Sequence, residues 1–333
     1  MSSGHWIGID VSKARLDYCC GSSGKPASVA NTPAGHARLL RVLRTREIAR
    51  IVLESTGAYH LAIVATLQDA GLPVSVMTPQ LIKWYRESFG RKAKTDPKDA
   101  RLLAAFGEAR RPYPSRVPTA NERVLRELVA RRDDLVALIG AEKNRLLVAR
   151  DPRIRHHIAA SLADAETRRA EIEREIDHLI TGDPLLAKRR AQLRTVPGVG
   201  WVTSIVLLAY LPELGEMDRR QIAALAGLAP YADDSGTPHK ARHCSGGRSQ
   251  VRRAMYLAAM TCVTHARVKR TVYRDHYHEM SPAKGAKSTL VAIARRMLVL
   301  INAMVRDDLT WDDTDIGRGL HARPVPRRTM APA

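Results

Sequence analysis

HWIGIDVSKARLDYCC, residues 5–20, runs apolar to Val11, turns through Ser12 and Lys13, and resumes with Leu16, Tyr18 and Cys19. Two such runs around a short polar turn predict a strand, a tight turn and a second strand. A third short strand is expected around Ala27–Ala30. ARIVLEST, residues 49–56, is a compact run with β-branched residues, expected to form a buried strand ending at Glu54. YHLAIVATLQDAG then shows helical spacing and stops at Gly71, and LPVSVMTP reads as a further strand closed by Pro79. Strand and helix alternate through residue 106, which predicts an α/β sheet with covering helices.

Beyond this region the pattern changes. PYPSRVP, residues 112–118, holds three prolines in seven positions and reads as a linker. In the next stretch Leu125, Leu128, Leu135, Ile139 and Leu146 follow three-and-four spacing, interrupted by Arg132 and Glu142. A second arm keeps heptad steps at Ile158, Leu162, Ala165, Ile172, Ile176 and Leu179, with Arg169 out of place. Asp151-Pro152 would break the helix between them, so a helical hairpin with coiled-coil character is expected. Such a hairpin serves either as a solvated spacer or as a dimerisation or RNA-bearing arm.

LRTVPGVGWVTSIVLLAYLPEL, residues 193–214, opens a mainly α region. Its PGVG turn resembles helix-hairpin-helix modules, whose glycines bring backbone N–H groups close to a phosphate, and it equally fits an ordinary turn. A polar loop, residues 230–248, precedes the helix SQVRRAMYLAAMTCVTHARV, and the Arg- and Pro-rich tail after Asp313 is expected to be disordered. The expected division is 1–111, 112–184, 185–313 and 314–333.

Charge is the most informative part of the composition. The 333 residues carry 54 Lys and Arg against 34 Asp and Glu, a formal net charge of +20, and the pI is near 10.3. This excess predicts a polyanionic partner, nucleic acid before an anionic membrane, with affinity that falls as salt rises. Residues 240–297 hold 13 Lys and Arg against 2 Asp and Glu, interleaved with Tyr256, Tyr273 and Tyr277, a pattern that favours contact with DNA or RNA. STLVAIARRMLVLINAMV carries Arg295 and Arg296 in its middle, so it reads as a packed amphipathic helix and not as a membrane span. MSSGHWIGID has neither a basic n-region nor an apolar h-region. Four cysteines form no CxxC pair and no disulfide framework, so a reducing cytoplasm is the expected compartment. His239, His243, Cys244, Cys262 and His265 include zinc-type ligands, but their spacing matches no familiar finger.

Four acids stand out by position. Asp10 ends the first strand in GIDVSK, Glu54 ends the central strand in VLESTG, and Asp96 and Asp99 lie three apart in KTDPKDA, on one side of a helical turn. Open α/β sheets place their sites at the C-terminal ends of strands. Phosphodiester chemistry needs a Lewis acid to offset charge on the phosphate, and four carboxylates are suitable hard ligands for two divalent cations. Taken singly, Asp96 also reads as an N-cap with Asp99 favouring the helix N-terminus, Glu54 as a solvated acid, and Asp10 as a turn cap.

GIDVSK, LESTGAYH and KTDPKDA, in this order, resemble the DEDD domain of the transposases of one bacterial insertion-sequence family. VPGVG, LAGLAP and CSGGRSQVRRAMYLAA resemble the same family's C-terminal transposase domain, so the resemblance covers nearly the whole chain to about residue 310. It implies a RuvC-like domain of ribonuclease H fold, DNA recombination, and guidance by a bridge RNA that the element encodes and that pairs with target and donor DNA. It also implies that Asp10, Glu54, Asp96 and Asp99 bind Mg²⁺, two ions per site, with Mn²⁺ as a substitute, and that Ser245 attacks the DNA phosphate. The expected setting is bacterial and nucleoid-associated, with an oligomer, dimer or tetramer, acting on two DNA partners.

The residues around Ser245 are compatible with that role. Two glycines after the serine permit a phosphate to approach, Arg248, Arg252 and Arg253 can neutralise it, and Lys94 and Lys98 flank the acidic pair as further phosphate contacts. Two alternatives stay open at this level: Ser245 or Ser249 as a cap of the following helix, and Cys244 as a rival nucleophile. A nuclease of the resolvase class, using the acids and water, is the competing function.

Overall fold

The computed structural model describes residues 4–55, 57, 59–88, 96–231, 243–265 and 271–316, with the backbone alone at 96–98, 231 and 243. The chain divides into two compact units, Met1–Val117 and Pro118–Ala333.

In the first unit, β1 (His5–Val11), β2 (Arg15–Cys20), β3 (Ala27–Ala30), β4 (Ile48–Glu54) and β5 (Val74–Met77) form a five-stranded mixed sheet in the order β3-β2-β1-β4-β5. The β1–β2 hairpin is antiparallel, with Ile9 opposite Tyr18, while β4 runs parallel to β1 with Leu53 beside Ile9. Ser12 closes the hairpin turn, its backbone N–H and its hydroxyl both donating to the Arg15 carbonyl at 2.9 Å.

Strand alternation separates two faces. Ile7, Ile9, Val11, Leu16, Ile51 and Leu53 are buried against Leu39 and Leu43 of α1 (Pro33–Leu43) and Ile63 and Leu67 of α2 (Leu61–Asp69). The sequence reading assigned no helix between the third strand and ARIVLEST; α1 lies there, with Thr32 as N-cap and Pro33 in its first turn. On the other face, Val52 packs with Ile82 of α3 (Pro79–Glu87) and with Leu102, Leu103 and Phe106 of α4 (Asp96–Arg110).

Gly8 brings α4 this close. A Cβ at Gly8 would stand 2.0 Å from the Ala100 carbonyl oxygen and 2.5 Å from the Ala104 nitrogen, and one at Gly107 would stand 2.6 Å from the Trp6 ring. Because Gly8 faces residues 100–104 while Gly107 faces Trp6, α4 runs antiparallel to β1. Its N-terminal end therefore lies toward the C-terminal end of β1.

The second unit begins with α5 (Ala120–Val148) and α6 (Pro152–Gly182), broken at Asp151-Pro152 as expected. The positions that interrupt the apolar pattern carry ion pairs. Arg132 Nε donates to Glu173 Oε1 across the hairpin at 2.9 Å, and buried Glu142 pairs with Arg145. At the base of the hairpin Leu125, Val129, Ile176 and Ile180 join one core with α7 (Pro184–Thr195), α8 (Trp201–Tyr210), α9 (Arg219–Leu225), α10 (Ser249–Thr264), α11 (Val272–Lys284) and α12 (Ala286–Arg306). A short pair of strands, β6 (Pro230–Tyr231) and β7 (His243–Cys244), precedes α10.

α12 is long and apolar enough to cross a membrane, alone in this among the described residues. Leu290, Ile293, Met297, Leu298 and Ile301 are buried in the core of the unit, the packed amphipathic arrangement read from its central arginines. The PGVG turn joins α7 to α8, and Gly198, at φ +87°, would place a Cβ 2.4 Å from the Ala258 carbonyl oxygen. That glycine therefore seats the turn on α10 and does not open it to a phosphate; Gly200, which begins α8, has open space at its Cβ position. Residues 266–268, the end of the predicted SQVRRAMYLAAMTCVTHARV helix, and 317–333 of the predicted disordered tail lie outside the described residues.

The contact at Gly8 is the critical one for the first unit. Gly8→Ala is expected to destabilise the full chain by about 3 kcal/mol in denaturant unfolding, since the new methyl meets backbone that cannot move aside. Gly140→Ala, on an exposed turn of α5 with nothing within 4 Å, is expected to stabilise by about 1 kcal/mol.

Candidate active site

The parallel pairing of β1 and β4 is recorded to Ile9 and Leu53, and the next step of that register brings Asp10 and Glu54 side by side at the C-terminal ends of adjacent strands. Alternation places both on the face of Gly8 and Val52, which α4 covers. Asp99 lies one turn before Leu103 on that helix and is 4% exposed. Asp96 opens α4 in the same first turn. The side chains of Asp96 and Lys98, and the whole of Lys94, lie outside the described residues. Asp10, Glu54 and Asp99 thus belong to one end of one sheet face.

Two charged groups that the sequence reading passed over complete this edge. Asp17 is the antiparallel partner of Asp10, buried, with Arg15 Nε donating to its Oδ2 at 3.0 Å. Arg86, in the last turn of α3, donates from Nη2 to Asp99 Oδ1 at 3.0 Å, with 17% and 6% of the two side chains exposed. Asp17 was visible as the i+2 neighbour of Arg15 on one strand face. Arg86 carried no signal, because its partner is thirteen residues away on another helix.

Asn31 ties the segments that follow the two strand acids. Its Nδ2 donates to the carbonyl of Ser12, two residues beyond Asp10, at 2.9 Å, and to that of Tyr59, five beyond Glu54, at 3.2 Å. With both amide hydrogens so used, Oδ1 accepts from His36 Nε2–H at 2.8 Å. Burial pushes the His36 pKa below its ordinary value, which favours the neutral ring, with its hydrogen on Nε2.

The carboxylate oxygens suit a hard divalent cation. Among the described residues, however, no three His, Cys, Asp or Glu side chains close into a metal-holding group. Asp99 is instead held by the Arg86 guanidinium. The zinc-type constellation also does not assemble among the described residues. Cys262 is buried with its sulfur 3.3 Å from the Thr271 hydroxyl, and His239 lies outside the described residues.

Ser245 stands in the second unit, exposed, directly after β7. The loop behind it is fixed by glycine-on-glycine contact: a Cβ at Gly247 would lie 2.2 Å from the Gly227 nitrogen, and one at Gly227 would lie 2.3 Å from the Gly246 carbonyl oxygen. All three glycines have positive φ, between +66° and +68°. The Arg248 N–H donates to the Leu225 carbonyl at 2.8 Å, and Arg252 Nη1 donates to the Gly246 carbonyl at 2.6 Å. LAGLAP and CSGGR, far apart in the chain, are two halves of one mount.

This geometry separates the roles of the nearby arginines. Arg248 forks onto both carboxylate oxygens of Glu213 and donates to the Tyr210 carbonyl, so its guanidinium anchors the loop. Arg252 braces Gly246, whereas Arg253 is exposed on α10. Neither serine caps α10, because Arg248 occupies the N-cap with no side-chain bond. Burial raises the pKa of the Cys244 thiol, against the opposing charges of Arg295 and Arg252, which disfavours the reactive thiolate. Arg295 enters this neighbourhood from α12; in sequence it is only a charge interrupting an apolar run.

Comparison with known proteins agrees in both units. Residues 7–149 match the transposase family DEDD_Tnp_IS110, and residues 190–274 match the transposase family IS116/IS110/IS902. The chain is 26% identical over 324 residues to the pilin gene-inverting protein of Moraxella lacunata, spanning 92% of this chain and 97% of that protein, with the same figures for its counterpart in Moraxella bovis. It is 28% identical over 237 residues to the uncharacterized 43.6 kDa protein of insertion element IS110 from Streptomyces coelicolor, spanning 70% of this chain and 53% of that protein. With strand-end acids under α4 in one unit and the CSGGR mount in the other, the chain belongs to the IS110 family of DEDD transposases and is a DNA-recombining enzyme.

Proposed function

We propose that this transposase cuts and rejoins DNA through a covalent phosphoserine link made by Ser245, with Asp10, Glu54, Asp96 and Asp99 acting on the same phosphate. The observation that carries the reading is the meeting of Asp10 and Glu54 at neighbouring strand ends beneath the helix that bears Asp99. The mixed sheet order supports a ribonuclease H-like, RuvC-like reading of the first unit. Divalent cations, Mg²⁺ for preference and two per site, would supply Lewis-acid stabilisation of the phosphate when bound by these carboxylates.

In this reading Ser245 Oγ attacks phosphorus, its proton leaves to a carboxylate, the Oγ–P bond forms, and the bond from phosphorus to the departing deoxyribose oxygen breaks. A hydroxyl from another strand later attacks the phosphoserine and restores the serine. Phosphodiester energy is conserved, so strand exchange needs no ATP, in keeping with the lack of a GxxxxGK[ST] loop in the sequence. Because Ser245 and the acids belong to separate compact units, the reaction requires both to meet on DNA, within one chain or between two.

A bridge RNA encoded by the element selects target and donor DNA in this proposal, and an oligomer with the α5–α6 hairpin at its interface holds the two DNA partners. The pilin gene-inverting relatives, named for a DNA rearrangement, support a cut-and-rejoin outcome. The competing reading is a RuvC-like nuclease with water as nucleophile.

The two part at one measurement. Incubated with Mg²⁺, the element's flanking noncoding RNA and matching DNA, the protein is expected to yield a DNA adduct on the peptide containing Ser245, found by mass spectrometry after denaturation. Ser245→Ala is expected to give neither adduct nor recombinant product; hydrolytic cleavage at the parent rate by this variant would establish the nuclease reading.

The rigid mount makes a second prediction. Gly247→Val, whose Cβ would fall on the Gly227 backbone, is expected to displace the serine loop and lower the rate of adduct formation by about 100-fold, as misplacement by an ångström does. Adduct formation within a few-fold of the parent rate would show that the glycine stack does not position Ser245.

A further inference from the structure

We infer that Arg86 is a switching cation of the acidic edge: it neutralises Asp99 before a divalent ion is bound, then transfers its guanidinium to the scissile phosphate when the ion takes that carboxylate. The inference rests on the proposed metal-binding role of the acids.

Three features set this pair apart from a surface ion pair. Both side chains are largely buried, and Arg86 Nη2 lies 3.0 Å from Asp99 Oδ1. The second is the state of the guanidinium. Its Nε is buried and makes no hydrogen bond, although buried donors are as a rule satisfied. Arginine presents five donors in a planar fork suited to a tetrahedral anion, and here that fork is incompletely used. The third is position: α3 starts two residues after the end of β5, and Arg86 reaches Asp99 on the helix covering Asp10 and Glu54.

Anchoring α3 to α4 does not need the ion pair. Ile82 packs with Leu102, Leu103 and Phe106, the Tyr85 ring meets Phe106 edge-on at 5.1 Å, and the Tyr85 hydroxyl donates to the Ala105 carbonyl at 3.2 Å. These contacts fix the backbone of Arg86 and leave its side chain able to exchange one anion for another. Electrostatics supplies the order of events. Carboxylates gathered at one sheet edge repel each other, and the Arg86 charge beside Asp99 lowers that repulsion; a doubly charged ion, when bound there, would lower it further. The displaced guanidinium then lies close to an incoming phosphate, where it offsets charge developing during the attack.

The pair acts as a competitor for metal. If it is closed in about nine of ten molecules, the apparent affinity for a divalent ion is about tenfold weaker than the intrinsic one. Titration of full-length protein with Mn²⁺ without nucleic acid, following free Mn²⁺ by electron paramagnetic resonance, reads this directly. Arg86→Gln is expected to bind Mn²⁺ about tenfold more tightly than the parent, by the same relation, yet to form the DNA adduct more slowly. Unchanged or weaker Mn²⁺ binding by Arg86→Gln, with thermal unfolding like that of the parent, would overturn the inference and leave a structural ion pair.

Should Arg86→Gln fail to fold, Arg86→Lys decides. It keeps the charge and loses the fork, so Mn²⁺ affinity is expected to stay near the parent value while adduct formation falls; parent-like adduct formation would overturn the switch. Asp10→Asn separates this inference from the reading beneath it. If Asp10→Asn leaves Mn²⁺ binding intact, the acidic site is not where the metal binds and both fall. If Asp10→Asn weakens Mn²⁺ binding but Arg86→Gln does not tighten it, only the switch is lost.

Discussion

The first unit depends on one contact of backbone against backbone. At Gly8 the β1 strand has no side chain, and α4 comes close enough that a Cβ there would sit 2.0 Å from a helix carbonyl. The acids two residues further along β1 and at the end of β4 then lie at the rim of that contact, beneath the first turn of the helix. A larger residue at position 8 would lift α4 and carry Asp99 away from Asp10 and Glu54. The placement of Asp99 over these strand ends thus follows from an absence of side-chain volume two residues before the acid in GIDVSK.

The second unit repeats the device. Gly198 seats the VPGVG turn on α10, and Gly227 with Gly246 and Gly247 brings LAGLAP against CSGGR. Motifs that look like separate signatures are, in space, facing halves of close contacts. A glycine in such a contact does what no other residue can, since the neighbouring atoms are backbone and cannot yield. The arginines then lock the loop through carbonyls and a carboxylate: Arg252 onto Gly246, Arg248 onto Glu213. Ser245 is left exposed on a support with little freedom, the condition its proposed role as nucleophile would need for a defined line of attack.

Strands and the helical hairpin were readable because their signals are local and periodic: the run HWIGIDV, the β-branched ARIVLE, the heptad steps from Ile158 to Leu179. The breaks in that pattern were harder to read. Arg132 looks like a flaw in a seam until Glu173 appears beside it, because an ion pair across a hairpin joins residues that no local period relates; Glu142 is paired within its own helix, with Arg145 three residues on. Helix α1 was missed although Thr32-Pro33 is a cap followed by a first-turn proline, since its short apolar spacing competes with the strands on either side. Asp10 and Glu54 were visible as acids closing apolar runs. Arg86, Asn31 and Glu213 act through partners distant in sequence and have no motif, so only the fold reveals them.

The clustering of acids in a chain of net charge +20 now has a physical account. Carboxylates drawn together at one sheet edge would repel both each other and DNA. Arg15 beside Asp17 and Arg86 beside Asp99 reduce that repulsion within the unit, each through a contact of 3.0 Å. The general excess of lysine and arginine draws in nucleic acid over distances of a Debye length, about 8 Å at physiological salt, but it has no means of choosing a phosphate. Choice at the scissile bond requires short-range groups whose charge is held in reserve. In the proposed switch Arg86 is such a reserve: paired with Asp99 it adds little to the far field of the protein, and its fork would become available only when something else neutralises its partner. Under the proposed switch, attraction and catalysis would fall to different positive charges: those exposed to solvent, and those held against the acids.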